Sequence, residues 1–200
     1  MYESCIKRLL DLILSLAACV VLAIPMGIIA LWIKKDSPGP VFFKQRRVGR
    51  GKKCFNILKF RTMRGDTPHD VPTHLLKNAD SYITKSGAFL RRTSLDELPQ
   101  IYNILKGDMS IVGPRPERPE LAAELEKEIP EFSFRLQVKA GLTGYAQVYG
   151  KYNTTPYDKL KLDLTYIRNY SVLEDLKLII MTPKIMLMKE STEGVKEEQQ

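Results

Sequence analysis

Residues 12–33 read LILSLAACVVLAIPMGIIALWI, 22 consecutive positions without a charged side chain. A helix of that length rises about 33 Å, enough to cross the hydrocarbon core of a bilayer. Lys7-Arg8 precede the run and Lys34-Lys35 close it. The run exceeds the apolar region of a signal peptide, and the lysine pair stands where a small-residue cleavage site would be. A retained membrane segment is therefore expected. Pro25 near its middle, followed by Gly27, removes a helix hydrogen bond and predicts a kink or break. Basic pairs at both ends satisfy the positive-inside rule best when both ends stay on the cytoplasmic side. A helix–break–helix that enters one leaflet and returns meets both conditions, while periodicity alone leaves a simple crossing open. Asp11 is costly at this border, and Lys7 or Arg8 one turn away is its expected partner.

The remainder of the 200-residue chain is long enough to bury a core of its own. Thirty-one Lys and Arg against 23 Asp and Glu give a net charge of +8, which points to an anionic partner: lipid headgroups, nucleic acid or a phosphorylated substrate. Cys5, Cys19 and Cys54 have neither disulfide-framework nor metal-ligand spacing, consistent with a reducing compartment. His69 and His74 lie in a polar, proline-containing segment and are expected to be solvated. That argues against a histidine triad or a multi-histidine metal site.

Asp36-Ser37-Pro38-Gly39-Pro40 is a strong turn that ends the apolar segment. Val41-Phe42-Phe43 and the partly alternating run Cys54 to Met63 predict a hairpin around Gly49 and Gly51. The intervening Lys44, Arg46, Arg47, Arg50, Lys52 and Lys53 form either a solvated face or a contact with anionic headgroups. Lys59 and Arg61 share one face of the second strand by period two and are candidate phosphate ligands. Gly65 to Thr73 reads as a surface loop, and a short helix over about Ser86 to Arg92 would carry Arg91 forward.

Arg91-Arg92-Thr93-Ser94-Leu95-Asp96-Glu97-Leu98-Pro99-Gln100 holds the densest chemistry. Ser94 and Glu97 have capping-box spacing, which predicts a helix start with Asp96 in its first turn. The helix dipole would keep a carboxylate ionised there and attract phosphate. Asp96 is then either a dipole-facing residue or a nucleophile toward phosphorus, and Glu97 a cap or a metal ligand. Lys106-Gly107 predicts the helix end. In Gly113-Pro114-Arg115-Pro116, prolines on both sides stiffen the backbone that carries Arg115, which suits a guanidinium binding phosphate. Neither a P-loop nor a dinucleotide fingerprint is present.

Lys-Arg-Leu-Leu-Asp (7–11), the proline-interrupted apolar run, Ser37 to Val41, Lys59-Phe60-Arg61-Thr62-Met63, Ser94 to Gln100, Lys106 to Ser110 and Gly113 to Pro116 occur in this order. With Ala140 to Val148 and Asp175-Leu176-Lys177, this set resembles the bacterial sugar transferases, the monotopic phosphoglycosyl transferases, from Tyr2 to about Leu187. The resemblance implies an α+β protein in three parts: a re-entrant membrane helix (1–36), a small, mostly helical catalytic domain with a short β-hairpin or sheet and interfacial amphipathic helices (37–190), and a tail (191–200). It implies transfer of a sugar 1-phosphate from a UDP-sugar to polyprenyl phosphate at the cytoplasmic face of a bacterial membrane, with release of UMP. Asp96 would be the nucleophile, Glu97 a Mg²⁺ ligand, and Arg91 and Arg115 phosphate-binding. Lys139-Ala140-Gly141 departs from the Arg-Pro-Gly of many relatives. Membrane lipid is an expected partner, nucleic acid is not, and a homodimer is left open. The sugar itself is not readable.

The physical logic is compatible with this. A diphosphate repels an incoming anion until cations screen it, and Mg²⁺ needs only one or two carboxylates beside phosphate and water. Two other readings stand beside it: a glycosyltransferase that moves the sugar without phosphate, and a basic membrane-anchored binding module. In the last third, helices are expected over Pro119 to Glu128, Pro156 to Tyr170 and Leu173 to Met188. A strand-like segment is expected to carry Tyr145, Gln147 and Tyr149.

Overall fold

The computed structural model describes residues 5–68, 78–151 and 153–187. His69, His74, most of the expected 65–73 loop and the 191–200 tail lie outside them. The first helix, α1 (Lys7–Asp36, 30 residues), runs through Pro25 without interruption. Of the kink or break expected from the proline, the break is not seen, and a kink leaves the helix continuous as observed. One missing hydrogen bond is a local defect in a long ladder, and the turns on either side sustain the helix.

Both ends of α1 dock on the rest of the protein. At the N-terminal end Lys7, Asp11 and Ser15 are buried. Lys7 Nζ lies 2.5 Å from Asp175 and 3.1 Å from the Tyr166 hydroxyl. Arg8 donates to the carbonyls of Ile104 and Leu105 at 2.6 and 2.8 Å. Asp11 accepts from the Ser110 hydroxyl and the Ile111 amide, both at 3.0 Å. The expected pairing of Asp11 with Lys7 or Arg8 is therefore corrected: all three side chains turn toward the domain, where each finds a separate partner. At the other end Ile29 and Ile33 pack with Phe60 and Leu90. In between, Leu16, Val20, Ile24, Ile28 and Leu31 form a stripe at helical spacing whose members are 61–76 % exposed. Among the described residues α1 is the one helix long and apolar enough to cross a membrane, by length and composition.

Strands β1 (Phe42–Val48) and β2 (Cys54–Phe60) form the expected antiparallel hairpin, with Phe42 opposite Phe60 and Val48 opposite Cys54. Helix α2 (Lys85–Arg92) is capped by Thr84, whose hydroxyl accepts from the Gly87 amide at 3.0 Å. Gly87 must be glycine, because any side chain there would strike the Thr62 carbonyl. A 3₁₀ turn, Leu95–Glu97, leads into α3 (Gln100–Lys106), which ends on left-handed Gly107 as expected. Strand β3 (Met109–Val112) pairs in parallel with β4 (Ala140–Thr143). Between them lie α4 (Pro119–Glu128) and a 3₁₀ stretch, Pro130–Gln137.

Tyr145–Tyr149 is a short helix, α5, and not the strand-like segment expected. The strand is the preceding Ala140–Thr143, and the turn after it lets the Tyr145 ring pack at a tilt against Tyr149 and Tyr166. Helices α6 (Pro156–Asn169) and α7 (Val172–Leu187) complete the α+β fold. Leu178 of α7 is fully buried with Val112, Val148 and Tyr166, while Leu173 and Ile180 are 79 % and 75 % exposed. The α7 helix thus packs under the domain along one side and presents apolar side chains along another.

Candidate active site

The carboxylate pair sits on the 3₁₀ turn between α2 and α3. Ser94 enters it at φ 55°, ψ 16°, a left-handed conformation, and its side chain caps nothing. The turn closes through the backbone, with the Glu97 amide donating to the Ser94 carbonyl at 3.2 Å. The predicted capping box is thus absent, because left-handed Ser94 and the tight turn take the place of an α-helical first turn. Leu95 and Leu98 pack on the Ile29–Ile33 end of α1. The leucines face the apolar helix while Asp96 and Glu97 carry charge into a separate cluster.

Lys59 reaches the pair from β2. Its ammonium is 2.7 Å from Glu97 Oε1 and 3.9 Å from Asp96 Oδ2. Arg115 grips Glu97 with both guanidinium branches, Nη1 to Oε2 at 3.1 Å and Nη2 to Oε1 at 2.5 Å. Arg91, at the C-terminal end of α2, donates from Nε to the Thr62 hydroxyl at 2.9 Å and feels the charge of Asp96 without a direct bond to it. Four separated stretches of sequence thus bring three cations around two carboxylates.

The two carboxylates differ. Burial pushes Asp96 above the ordinary aspartate value, with the Glu97 charge adding to the rise and Lys59 opposing it. The expectation that a helix dipole would favour its ionisation is corrected, since desolvation dominates here. Burial also works against Glu97, but the Arg115 charge and hydrogen bonds, with Lys59, overcome it and hold Glu97 well below the usual carboxylate range. The same contact raises Arg115, whose guanidinium keeps 44 % of its side chain exposed.

Arg61, a candidate phosphate ligand by strand periodicity, is placed otherwise. It lies just beyond β2, is buried, and donates to the Ser37 carbonyl at 2.7 Å and to the Pro38 carbonyl. It ties the turn after α1 to the sheet. Period two stops predicting direction where the strand ends. Arg47, read as part of a basic surface, is largely buried and donates to the Pro116 carbonyl at 3.1 Å. The Tyr145 hydroxyl donates to Glu174 at 2.7 Å, and the Gln147 amide donates to the Leu142 carbonyl at 3.0 Å.

No group of three or more His, Cys, Asp and Glu suited to a metal occurs among the described residues. A cation held mainly by water and phosphate needs fewer protein ligands, and adjacent Asp96 and Glu97 supply the hard oxygens Mg²⁺ prefers. In this structure Glu97 is committed to Arg115 and Lys59, so a metal and these two cations would share it.

A partly buried acidic pair with cations around it, beside a long apolar helix, defines a class of site suited to anionic, phosphate-bearing substrates. The comparisons agree with that class. The bacterial sugar transferase family model matches residues 2–189, and the chain belongs to this family. It is 45 % identical over 181 residues to a UDP-glucose:undecaprenyl-phosphate glucose-1-phosphate transferase of Xanthomonas campestris pv. campestris, covering 88 % of this chain and 37 % of the relative. It is 42 % identical to the galactosyl transferase CpsE of Streptococcus agalactiae, covering 91 % and 42 %. With exopolysaccharide production protein PSS of Rhizobium leguminosarum bv. phaseoli it shares 42 % identity over 88 % of this chain and 92 % of the relative. The chain thus spans about two fifths of the first two relatives.

Proposed function

We propose that this chain is a phosphoglycosyl transferase that moves a sugar 1-phosphate from a UDP-sugar to polyprenyl phosphate. The observation that carries the proposal is the geometry of Asp96 and Glu97: a partly buried pair contacted by Lys59, with Arg115 clamped on Glu97 and the charge of Arg91 felt at Asp96. The name of the Xanthomonas relative describes an activity of this kind. Asp96 is the nucleophile. Its ion pair with Lys59 is long, whereas Glu97 is clamped, so Asp96 is the carboxylate with an oxygen to spend. An Asp96 oxygen bonds the sugar-proximal phosphorus, and the bond from that phosphorus to the bridging oxygen breaks. The electron pair leaves on UMP. A polyprenyl phosphate oxygen then attacks the same phosphorus and displaces Asp96, giving polyprenyl diphosphate-sugar.

Arg115 and Lys59 meet the diphosphate oxygens, and that contact releases Glu97. Glu97 is then the side chain that would hold Mg²⁺, with Asp96 beside it. When bound, the ion would supply charge screening between nucleophile and diphosphate. Lys59 first, and Arg91 after it, oppose the rise that burial imposes on Asp96.

The chain acts at the cytoplasmic face of a bacterial membrane, in polysaccharide synthesis, with α1 entering and leaving one leaflet. Both ends of α1 rest on one globular body, through Lys7 and through Ile33. A straight crossing would carry one end away from that body. The apolar stripe between the ends supplies the lipid-facing surface.

The experiment is a UDP-sugar panel with polyprenyl phosphate, using protein in membranes and analysis of the released nucleotide. UMP is expected. Release of UDP would instead identify a transferase of the bare sugar. Asp96→Asn should lower turnover by about 10³-fold or more, and sustained turnover by that variant would remove Asp96 from the chemistry.

A further inference from the structure

The loop that carries Arg115 is poor in donors. Pro114 and Pro116 have no N–H, so this stretch must be held largely through its carbonyls. Three consecutive carbonyls are each taken. Pro114 accepts from the Gly141 amide at 2.9 Å. Arg115 accepts from Arg135 Nη2 at 2.9 Å. Pro116 accepts from Arg47 at 3.1 Å.

The middle contact is unusual. Arg135 is 5 % exposed, and the same Nη2 lies 2.6 Å from Asp163 Oδ2, itself 1 % exposed. Its Nη1 stands 3.7 Å from Glu117, and the Phe132 ring covers the guanidinium, with its centroid 4.8 Å away. Asp163 projects from the buried face of α6, between Leu160 and Tyr166. Taking a carboxylate and a guanidinium out of water is costly, and stability alone is served as well by an apolar pair of similar volume. The arrangement adds a fixed donor aimed at the backbone of the residue that must address phosphate.

We infer that Arg135, charge-paired with Asp163, is a positioning residue that fixes the Pro114–Pro116 loop so that the Arg115 guanidinium faces the carboxylate pair. The inference rests on the function proposed above. Arg135 touches neither Asp96 nor Glu97 through any bond described, and it acts through the Arg115 backbone. Asp163 neutralises the buried guanidinium through a single close ion-pair contact, Nη2 to Oδ2 at 2.6 Å, and so keeps that charge in place beside the loop.

The test uses two substitutions in the full chain in membranes, each also made on an Arg115→Ala background. Arg135→Met with Asp163→Leu replaces both buried charges by apolar groups, which preserves folding, and melting within a few degrees of wild type verifies it. Arg135→Lys keeps one charge for Asp163 but lacks the planar fork that serves several acceptors at once. The apolar double variant should lower kcat/KM for the UDP-sugar by about 10-fold with Arg115 present, and by less than about 2-fold when Arg115 is alanine. Arg135→Lys should fall between wild type and the double variant. Equal losses on both backgrounds, or full activity of a folded double variant, would overturn the inference. Absence of UMP release by the wild-type chain would instead remove the function proposed above, so the two failures are told apart.

Discussion

Two lysine–carboxylate contacts in this protein look alike in sequence and behave oppositely. Lys7 and Asp175 meet at 2.5 Å with the Tyr166 hydroxyl beside them, and both side chains are at most 10 % exposed. Lys59 and Asp96 stand 3.9 Å apart, and Lys59 bonds more closely to Glu97. The first contact is closed: one cation, one anion and a hydroxyl fix the N-terminal end of α1 on α6 and α7. The second belongs to a cluster in which Lys59 and Arg115 contact the two carboxylates, Arg91 adds its charge from nearby, and the Arg115 side chain is 44 % exposed. A closed pair is an anchor. A pair with cationic surplus and a loosely held carboxylate is prepared for a further anion.

This contrast can be tested by removing each lysine in turn. Lys7→Met leaves Asp175 buried without its cation, and breaking a buried pair from one side costs about 3 kcal/mol or more. A marked fall in melting temperature in detergent is the expected outcome, with loss of activity following loss of fold. An unchanged melting temperature would deny the anchor.

Lys59→Met should show the reverse pattern. Turnover should fall about 10-fold or more, because a cation aimed at developing phosphate charge is lost. Stability should change by only about 1 kcal/mol, since Glu97 keeps Arg115. A variant that melts early and turns over normally per folded molecule would place Lys59 with Lys7 among the anchors.

The smallest expected effect is a shift with pH. Burial raises Asp96, and only its ionised form attacks phosphorus. Activity should therefore fall on acidification at a higher pH than an ordinary aspartate would set. Lys59 opposes that rise, so Lys59→Met should move the acid limb higher still. An acid limb unmoved in Lys59→Met, measured as kcat/KM against pH, would show that Asp96 does not sense this lysine.

Local patterns were legible wherever a short stretch suffices to set the geometry. The hairpin of β1 and β2, the Thr84-capped helix that carries Arg91, the Gly107 stop and the helices over 119–128, 156–169 and 172–187 follow from turn residues and periodicity. The reading failed where a side chain's partner lies far away. Asp11 finds Ser110, Arg61 finds Ser37, and Arg47 finds Pro116, none of them a neighbour on the same element face. Asp163 did carry a signal, an acid spaced three residues from Leu160 and from Tyr166 on a face that buries both. An acidic residue within an apolar stripe asks for a buried counter-ion, and nothing local names Arg135 as that ion.

The sequence by itself determined the apolar helix, the acidic pair, the stiff arginine loop and, through their order, the family. Those features depend on spacing along one chain, which covalent geometry and helix or strand period convert directly into direction. Tertiary structure alone decided that Ser94 turns left-handed and caps nothing, and that Glu97 answers to Arg115 and Lys59. It also decided that Asp96 is raised by burial and not lowered by a dipole. Burial and charge pairing depend on what the rest of the fold brings within a few ångströms. That sum over distant residues is absent from any local stretch.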